Sequence, residues 1–292
     1  MKLLITGGSG QLARRTAELL LAKIAPQDLI VTTRTPAGLR SLAERGVIVR
    51  EADFAAPRTL RAAFAGAERM LLVSATDLAQ RTAQHRAAID AAKAAGVRHV
   101  VYTSGLKPEP PNPAIVAPSH HATEQALMQS GLAWTILRNS LYADYQIPEG
   151  CQAIAAGTLV HNRGAGKVAY VVRDDCAAVA AAVLVASDQA GKCWDVTGPK
   201  AYTAADLAAL YGELGGRPVT ERSVSDAEFI AGIVGAAAGD DHLRYGAELV
   251  ASFGRSIRDG YMDACTDHVA KLTGQPPRTL RQVLERARAA RS

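Results

Sequence analysis

Near the start of the chain an apolar run gives way to Thr6-Gly7-Gly8-Ser9-Gly10, and an amphipathic helical pattern begins immediately afterwards. The spacing is Gly7-x-x-Gly10-x-x-Ala13. The first amide groups of a helix have no intrahelical acceptor, and the helix dipole adds partial positive charge beside them. A pyrophosphate docks there only where no side chain stands in the way. Gly7 and Gly10 give that clearance, and the small Ala13 lets helix and strand approach closely. Thr6, Ser9, Gln11 and Leu12 complete the wall of the same turn. The pattern gains specificity from its context, a strand before and a helix after within a βαβ unit. A tight turn with no ligand is the plainer alternative.

The end of the second strand indicates which dinucleotide is expected. A site selective for NAD carries Asp or Glu there to hold ribose hydroxyls. This chain has Thr32-Thr33-Arg34-Thr35, and an arginine fork suits a phosphate that a carboxylate would repel. NADP(H) is therefore the expected cofactor, with a solvated loop arginine as the other reading of Arg34. Asp53 and Phe54, just after the third strand, are placed to flank an adenine. Ser74, Ala75 and Thr76, after the fourth, line the path toward a nicotinamide. Either set also suits strand-end capping.

These positions are ordered by a strict alternation of elements. Strands are expected at Leu3–Thr6, Leu29–Thr33, Val47–Glu51, Met70–Ser74, His99–Thr103 and Trp134–Arg138. Helical patterns lie between them at Gln11–Ala22, Ala37–Arg45, Pro57–Ala65, Arg81–Ala95 and Ser119–Ser130. Strands apolar on both faces and separated by helices describe a Rossmann-like, doubly wound parallel sheet in an α/β protein. Gly46, Gly96 and Gly131 mark helix ends. The rhythm changes near Tyr142, so residues 1–141 are expected as the dinucleotide-binding domain and 142–292 as a smaller, mostly helical substrate region. That second region reads as loops around Gly150, Gly157, Gly164 and Gly166, then strands at Val168–Val172, Trp194–Thr197 and Pro218–Arg222. It is expected to pack intimately on the first, with some strands returning to the main sheet.

Ligands of open α/β sheets gather beyond the carboxyl ends of the strands. Ser104 ends the fifth strand, and Asn139, Tyr142 and Tyr145 come after the sixth at the junction of the two regions. A tyrosine there can stack on a planar acceptor, and interface packing is the alternative.

Composition narrows the classes further. The 292 residues carry a net charge of +5, but only 5% are aromatic and the arginines are scattered, which argues against nucleic acid as a partner. Cys151, Cys176, Cys193 and Cys265 are widely spaced and form no CxxC pair, so neither a disulfide framework nor a metal site is expected. Gly7 and Gly8 interrupt what would be a signal peptide's apolar core. The longest apolar stretch, Cys176 to Ala186, is too short to span a bilayer. A cytoplasmic protein without membrane contact is expected, and a homodimer is compatible with it.

Several stretches carry a family resemblance: TGGSGQLA (6–13), ADFAAPRTLRAAFAG (52–66), QHRAAIDAAKAAGVRHVVYTS (84–104), HHATEQALMQSGLAWTILRN (120–139) and TGQPPRTLRQVL (273–284). Together they resemble the NmrA-like group of atypical short-chain dehydrogenases/reductases, above all its bacterial NADPH-dependent quinone oxidoreductases and triphenylmethane reductases. The resemblance implies NADP(H) binding and, in several members, reduction of quinones or dyes. Short-chain reductases typically use Tyr-x-x-x-Lys, and related atypical enzymes often carry a Glu four residues beyond that Lys. Counting back from Glu124 places His120 at the Lys position and Val116 at the Tyr position. The usual acid is missing, which argues against ketone–alcohol chemistry and sugar-nucleotide epimerisation.

A quinone tolerates that loss, because its reduced oxyanion is delocalised into a ring, and a triphenylmethane cation needs no proton at all. The reading is therefore an NADPH-dependent oxidoreductase acting on a small planar conjugated acceptor. His120 is expected to orient the cofactor or donate a proton, and Tyr142 is the second catalytic candidate. A non-catalytic NADP(H)-binding sensor of the NmrA type is the alternative.

Overall fold

Leu3–Ile5 (β1) and Leu29–Thr33 (β2) have no exposed residue on either face, the pattern of strands in the middle of a covered parallel sheet. The computed structural model describes residues 1–235 and 240–290. The first half alternates as the sequence predicts: β1, α1 (Gln11–Leu20), β2, α2 (Arg40–Ala43), β3 (Ile48–Glu51), α3 (Leu60–Phe64), β4 (Arg69–Leu72), α4 (Arg81–Ala94), β5 (His99–Gly105), α5 (Ala117–Gln129) and β6 (Ala133–Asn139). Then come α6 (Gln146–Ala156), β7 (Thr158–His161), α7 (Arg173–Val185), β8 (Lys192–Val196), α8 (Ala204–Gly215), β9 (Thr220–Ser223), α9 (Asp226–Val234), α10 (Asp241–Arg258), α11 (His268–Thr273) and α12 (Leu280–Ala289).

Seven parallel strands form the main sheet in the order β3-β2-β1-β4-β5-β6-β8. The winding direction reverses between β1 and β4, the kind of point beyond whose strand ends open α/β sheets bind their ligands. Side chains alternate across the sheet. Leu3 and Ile5 pack with α1 and α7 on one face, whereas Leu4 packs with α3 and α4 on the other. A third core joins α6, α8, α10 and α12 around Tyr170 and Tyr211.

Beyond residue 141 the structure departs from expectation in three places. Val168–Val172 is no strand: Val168 pairs with Tyr202, Ala169 donates to the Met262 carbonyl and Val171 to the Leu141 carbonyl, so no single neighbour can form a ladder with it. The segment around Gly150 is helix α6 rather than loop. Gly150 is there for packing, since a Cβ would stand 2.9 Å from Cε1 of Tyr211. β7, unforeseen, pairs in parallel with β9 in a separate two-stranded sheet. In the first half, the helix expected at 37–45 is a 3-10 turn at Pro36–Leu39 that leads into α2. β8 does return to the main sheet, running parallel to β6 from Thr135 opposite Lys192 to Asn139 opposite Val196.

The loop from β5 to α5 is laced to the second region. Ser256 donates to Asn112 Oδ1 at 2.9 Å, the Ile115 amide donates to Ser252 Oγ at 3.1 Å, and Lys107 Nζ donates to the Gly260 carbonyl at 2.9 Å.

Candidate functional site

The glycine turn sits at the reversal point. Gly7 is left-handed, with φ of +67°, and the Gly8 amide donates to the Thr32 carbonyl at 2.8 Å, which draws the turn onto the end of β2. A Cβ on Gly8 would lie 2.3 Å from Val31 Cγ1, so this position demands glycine as strictly as the two the spacing singles out. A Cβ on Gly10 would lie 3.2 Å from the Gly7 carbonyl. Gly10 caps α1 without a side chain, and no acidic residue occupies the first turn. The amides of Gln11, Leu12 and Ala13 thus remain as donors at the positive end of the helix. That donor set, on a surface without side chains, fits a pyrophosphate. Thr6 contributes differently from its neighbours: its hydroxyl donates to the Leu71 carbonyl and accepts from the Val73 amide, stitching β1 to β4. The Leu12 side chain enters the core, leaving its backbone at the turn. Ser9 and Gln11 are exposed beside it.

Arg34 is exposed at the end of β2 and makes no hydrogen bond or ion pair with the described residues. No local pattern marks its neighbour Arg14. That residue reaches from α1 to donate to the Gly38 carbonyl at 2.8 Å, placing a second guanidinium against the same loop. Asp53 accepts from the Ala55 amide at 2.9 Å, the strand-end turn of its alternative reading. Phe54 packs edge-on to the His85 ring, 6.3 Å between centroids.

The loop after β4 is pinned from two sides. The Ala75 amide donates to His85 Nε2 at 2.9 Å, and Arg81 Nε donates to the Ala75 carbonyl at 2.6 Å. The Ser74 amide donates to Thr103 Oγ1 at 3.0 Å, and Thr76 is exposed. Because Nε2 of His85 accepts, its Nδ1 carries the proton and donates to Thr123 Oγ1 at 2.9 Å. Arg81 and His85 are four apart on one face of α4. That spacing is the one signal in the sequence for two residues that no motif singles out.

His120 lies under this network. Arginine only donates, so His120 Nε2, 3.4 Å from an Arg81 Nη, accepts, and the Nδ1–H donates to the Tyr102 hydroxyl at 2.8 Å. Burial first, then the charge of Arg81, then His85, pull the His120 pKa down to about 3. The ring is neutral throughout the working range and both nitrogens are engaged inside the protein. A neutral hydrogen bond contributes about 0.5–1.5 kcal/mol, so His120→Ala should lower kcat/KM by roughly three- to tenfold. The variant and the parent should share one pH profile, because a ring already neutral near pH 5 has no proton to lose as pH rises. A limb near neutrality in the parent that the variant lacks would make the imidazole the acid. Glu124, four residues along α5, is buried and takes two bonds from Arg138, at 3.0 and 2.6 Å, tying α5 to β6.

At the carboxyl ends of the next two strands, Ser104 stands near the end of β5 beside β6, Asn139 ends β6 and Ser140 comes next. Ser104 Oγ, Asn139 Oδ1 and Ser140 Oγ are all buried without a hydrogen-bond partner. Buried polar atoms are normally satisfied, so these three neighbouring exceptions leave polar atoms available to a ligand. Asn139 Nδ2 donates to the Tyr142 hydroxyl at 3.4 Å. Burial, then the neighbouring Cys176, raises the Tyr142 phenol above its usual range, so it stays protonated. The Tyr142 and Tyr145 rings lie 6.1 Å apart, and the Arg173 guanidinium stands 5.0 and 5.7 Å from their centroids. Tyr145 is 61% exposed. Arg173 also binds Asp144 and the side chain of Gln11, so this aromatic pair is joined to the glycine turn.

Known proteins share this fold along nearly the whole chain. A family model described as NAD(P)H-binding matches residues 7–187. The chain is 34% identical over 278 residues to quinone oxidoreductase 2 of Escherichia coli K12, covering 94% of this chain and 95% of the relative. The solved structure of an Escherichia coli NADPH-dependent quinone oxidoreductase in complex with NADPH superposes with a TM-score of 0.92 at 33% identity, covering 98% and 99% of the two chains. The Citrobacter sp. triphenylmethane reductase in complex with NADP(H) gives 0.90 at 30% identity, covering 98% and 100%.

Proposed function

The chain belongs to the NAD(P)H-binding family, and on that basis we propose that it is an NADPH-dependent reductase of quinone-like and other planar conjugated acceptors. The observation that carries this reading is the absence of a competent acid where the family's usual proton donor would stand. Val116 occupies that position at the start of α5, and His120 is neutral with both nitrogens engaged. Such a site suits acceptors whose reduced form is already stabilised.

NADPH supplies the hydride. The amides behind Gly10 hold its pyrophosphate, Arg34 with Arg14 binds the 2′-phosphate, and the loop at Ser74, Ala75 and Thr76 lines the way to the nicotinamide. Asp53 and Phe54 flank the adenine. Ser104 borders the nicotinamide end, His120 steadies it from beneath through Arg81 and the loop after β4, and Asn139, Tyr142 and Tyr145 line the acceptor and keep water from it. Among the described residues no helix is long and apolar enough to cross a membrane. None of the four cysteines is joined in a disulfide, which suits a reducing compartment such as the cytoplasm.

An NADPH-oxidation assay over a panel of quinones, dyes and enones tests the reading, with quinone turnover as the expected result. Tight NADPH binding without turnover of any acceptor would replace it with the sensor.

A further inference from the structure

Arg81 opens α4 and is only 7% exposed, yet all its hydrogen-bond partners are neutral. Nε donates to the Ala75 carbonyl at 2.6 Å, and one Nη lies 3.4 Å from both Ser119 Oγ and His120 Nε2. No carboxylate is paired with it among the described residues. By contrast Arg138, Arg163 and Arg173, also largely buried, hold Glu124, Glu149 and Asp144 respectively. Buried charges in proteins are normally paired, and a cation at a helix N-terminus also opposes the helix dipole. The molecule therefore maintains an uncompensated positive charge beside His120. The phosphate-binding groups stand elsewhere, beyond the ends of β1 and β2. Near Arg81 lie instead the loop after β4 and the start of α5.

We propose that Arg81 sets the charge preference of the acceptor site, favouring neutral quinones over cationic dyes. The inference rests on the reductase reading above. A quinone takes up a hydride, two electrons with one proton, from the reduced nicotinamide, which is oxidised to its cation. The quinone thereby becomes the hydroquinone monoanion, and a second proton from water completes the hydroquinone. A triphenylmethane cation takes up the same hydride and becomes neutral. Up to that final protonation, the quinone carries one more negative charge than the dye. The ratio of their kcat/KM values therefore reads the electrostatic potential at the acceptor. A unit charge acting about 8 Å away at an effective dielectric near 20 changes such a ratio by roughly thirtyfold.

The test compares the parent, Arg81→Met and Arg81→Lys, using 1,4-naphthoquinone and malachite green as acceptors. Titration of NADPH fluorescence confirms that each protein is loaded. Arg81→Met should lower the quinone-to-dye ratio by about ten- to thirtyfold, and Arg81→Lys should keep it within about threefold of the parent, since charge rather than shape is at work. Equal losses with both acceptors, or an unmoved ratio, would overturn the inference and leave Arg81 a structural residue. The parent alone supplies an arm that needs no variant. For naphthoquinones bearing a sulfonate, no charge or a trimethylammonium group, KM should rise in that order. At about 0.3 M salt the Debye length is roughly 6 Å, which removes most of the contribution from distant surface charge. The opposite order, or no order, would also overturn it. A parent that binds NADPH but reduces neither acceptor would remove the reductase reading, and this inference with it.

Discussion

Simple aliphatic ketones should be reduced about a hundred- to ten-thousandfold more slowly than quinones, the range that general acid catalysis usually contributes. Hydride addition to an isolated carbonyl localises charge on one oxygen, which must be protonated within the site. Val116 offers no proton, and His120, depressed to about 3, is neutral with its one N–H directed at Tyr102. A quinone spreads the charge over its ring and is protonated later by water. Matched measurement of kcat/KM for naphthoquinone, malachite green and a saturated ketone of similar size checks this, with the first two turning over. Efficient reduction of the ketone would point to Tyr142, which burial keeps protonated and which lies just beyond the end of β6. Tyr142→Phe would then abolish the ketone activity while sparing the quinone.

NADPH should bind roughly ten- to a hundredfold more tightly than NADH, since hydrogen bonds to charged groups contribute about 1.5–3 kcal/mol. The Arg34 guanidinium is exposed, engaged with no other group among the described residues and ready to meet a 2′-phosphate. Arg34→Ala should erase most of the difference, leaving NADH affinity almost unchanged. Fluorescence titrations of both nucleotides against parent and variant measure it. Any preference that survives belongs to Arg14, whose bond to the Gly38 carbonyl holds it against the same loop, and Arg34→Ala with Arg14→Ala should remove the remainder. Equal affinities in the parent would take the assignment away from both arginines.

Local patterns were legible and long-range ones were not. Gly7, Gly10 and Ala13 announce the turn because a single βαβ unit dictates their spacing. The need for Gly8 depends on Val31 and Leu39, which no local pattern brings near it. Gly150 misled for the same reason: a glycine demanded by a distant tyrosine looks in sequence like a loop marker. Val168–Val172 has strand composition, but its hydrogen bonds are divided among several separate segments of the chain. Arg34 stands out in the sequence by its place directly after a strand, and the structure leaves it exposed there. Arg81 does not, because its burial without a carboxylate partner among the described residues is a product of tertiary packing.

The return of β8 to the main sheet governs the order in which the chain can mature. Until Lys192–Val196 has emerged from the ribosome, the ladder positions of β6 from Thr135 to Asn139 have no partner on that side. The apolar face of α7, including Val179 and Val183, enters the core beside β1 at nearly the same stage. The nascent dinucleotide half therefore carries an open sheet edge and an uncovered apolar face while about fifty further residues are added, both features that favour association between chains. The seventh strand of the main sheet is in place only once β8 has been synthesised.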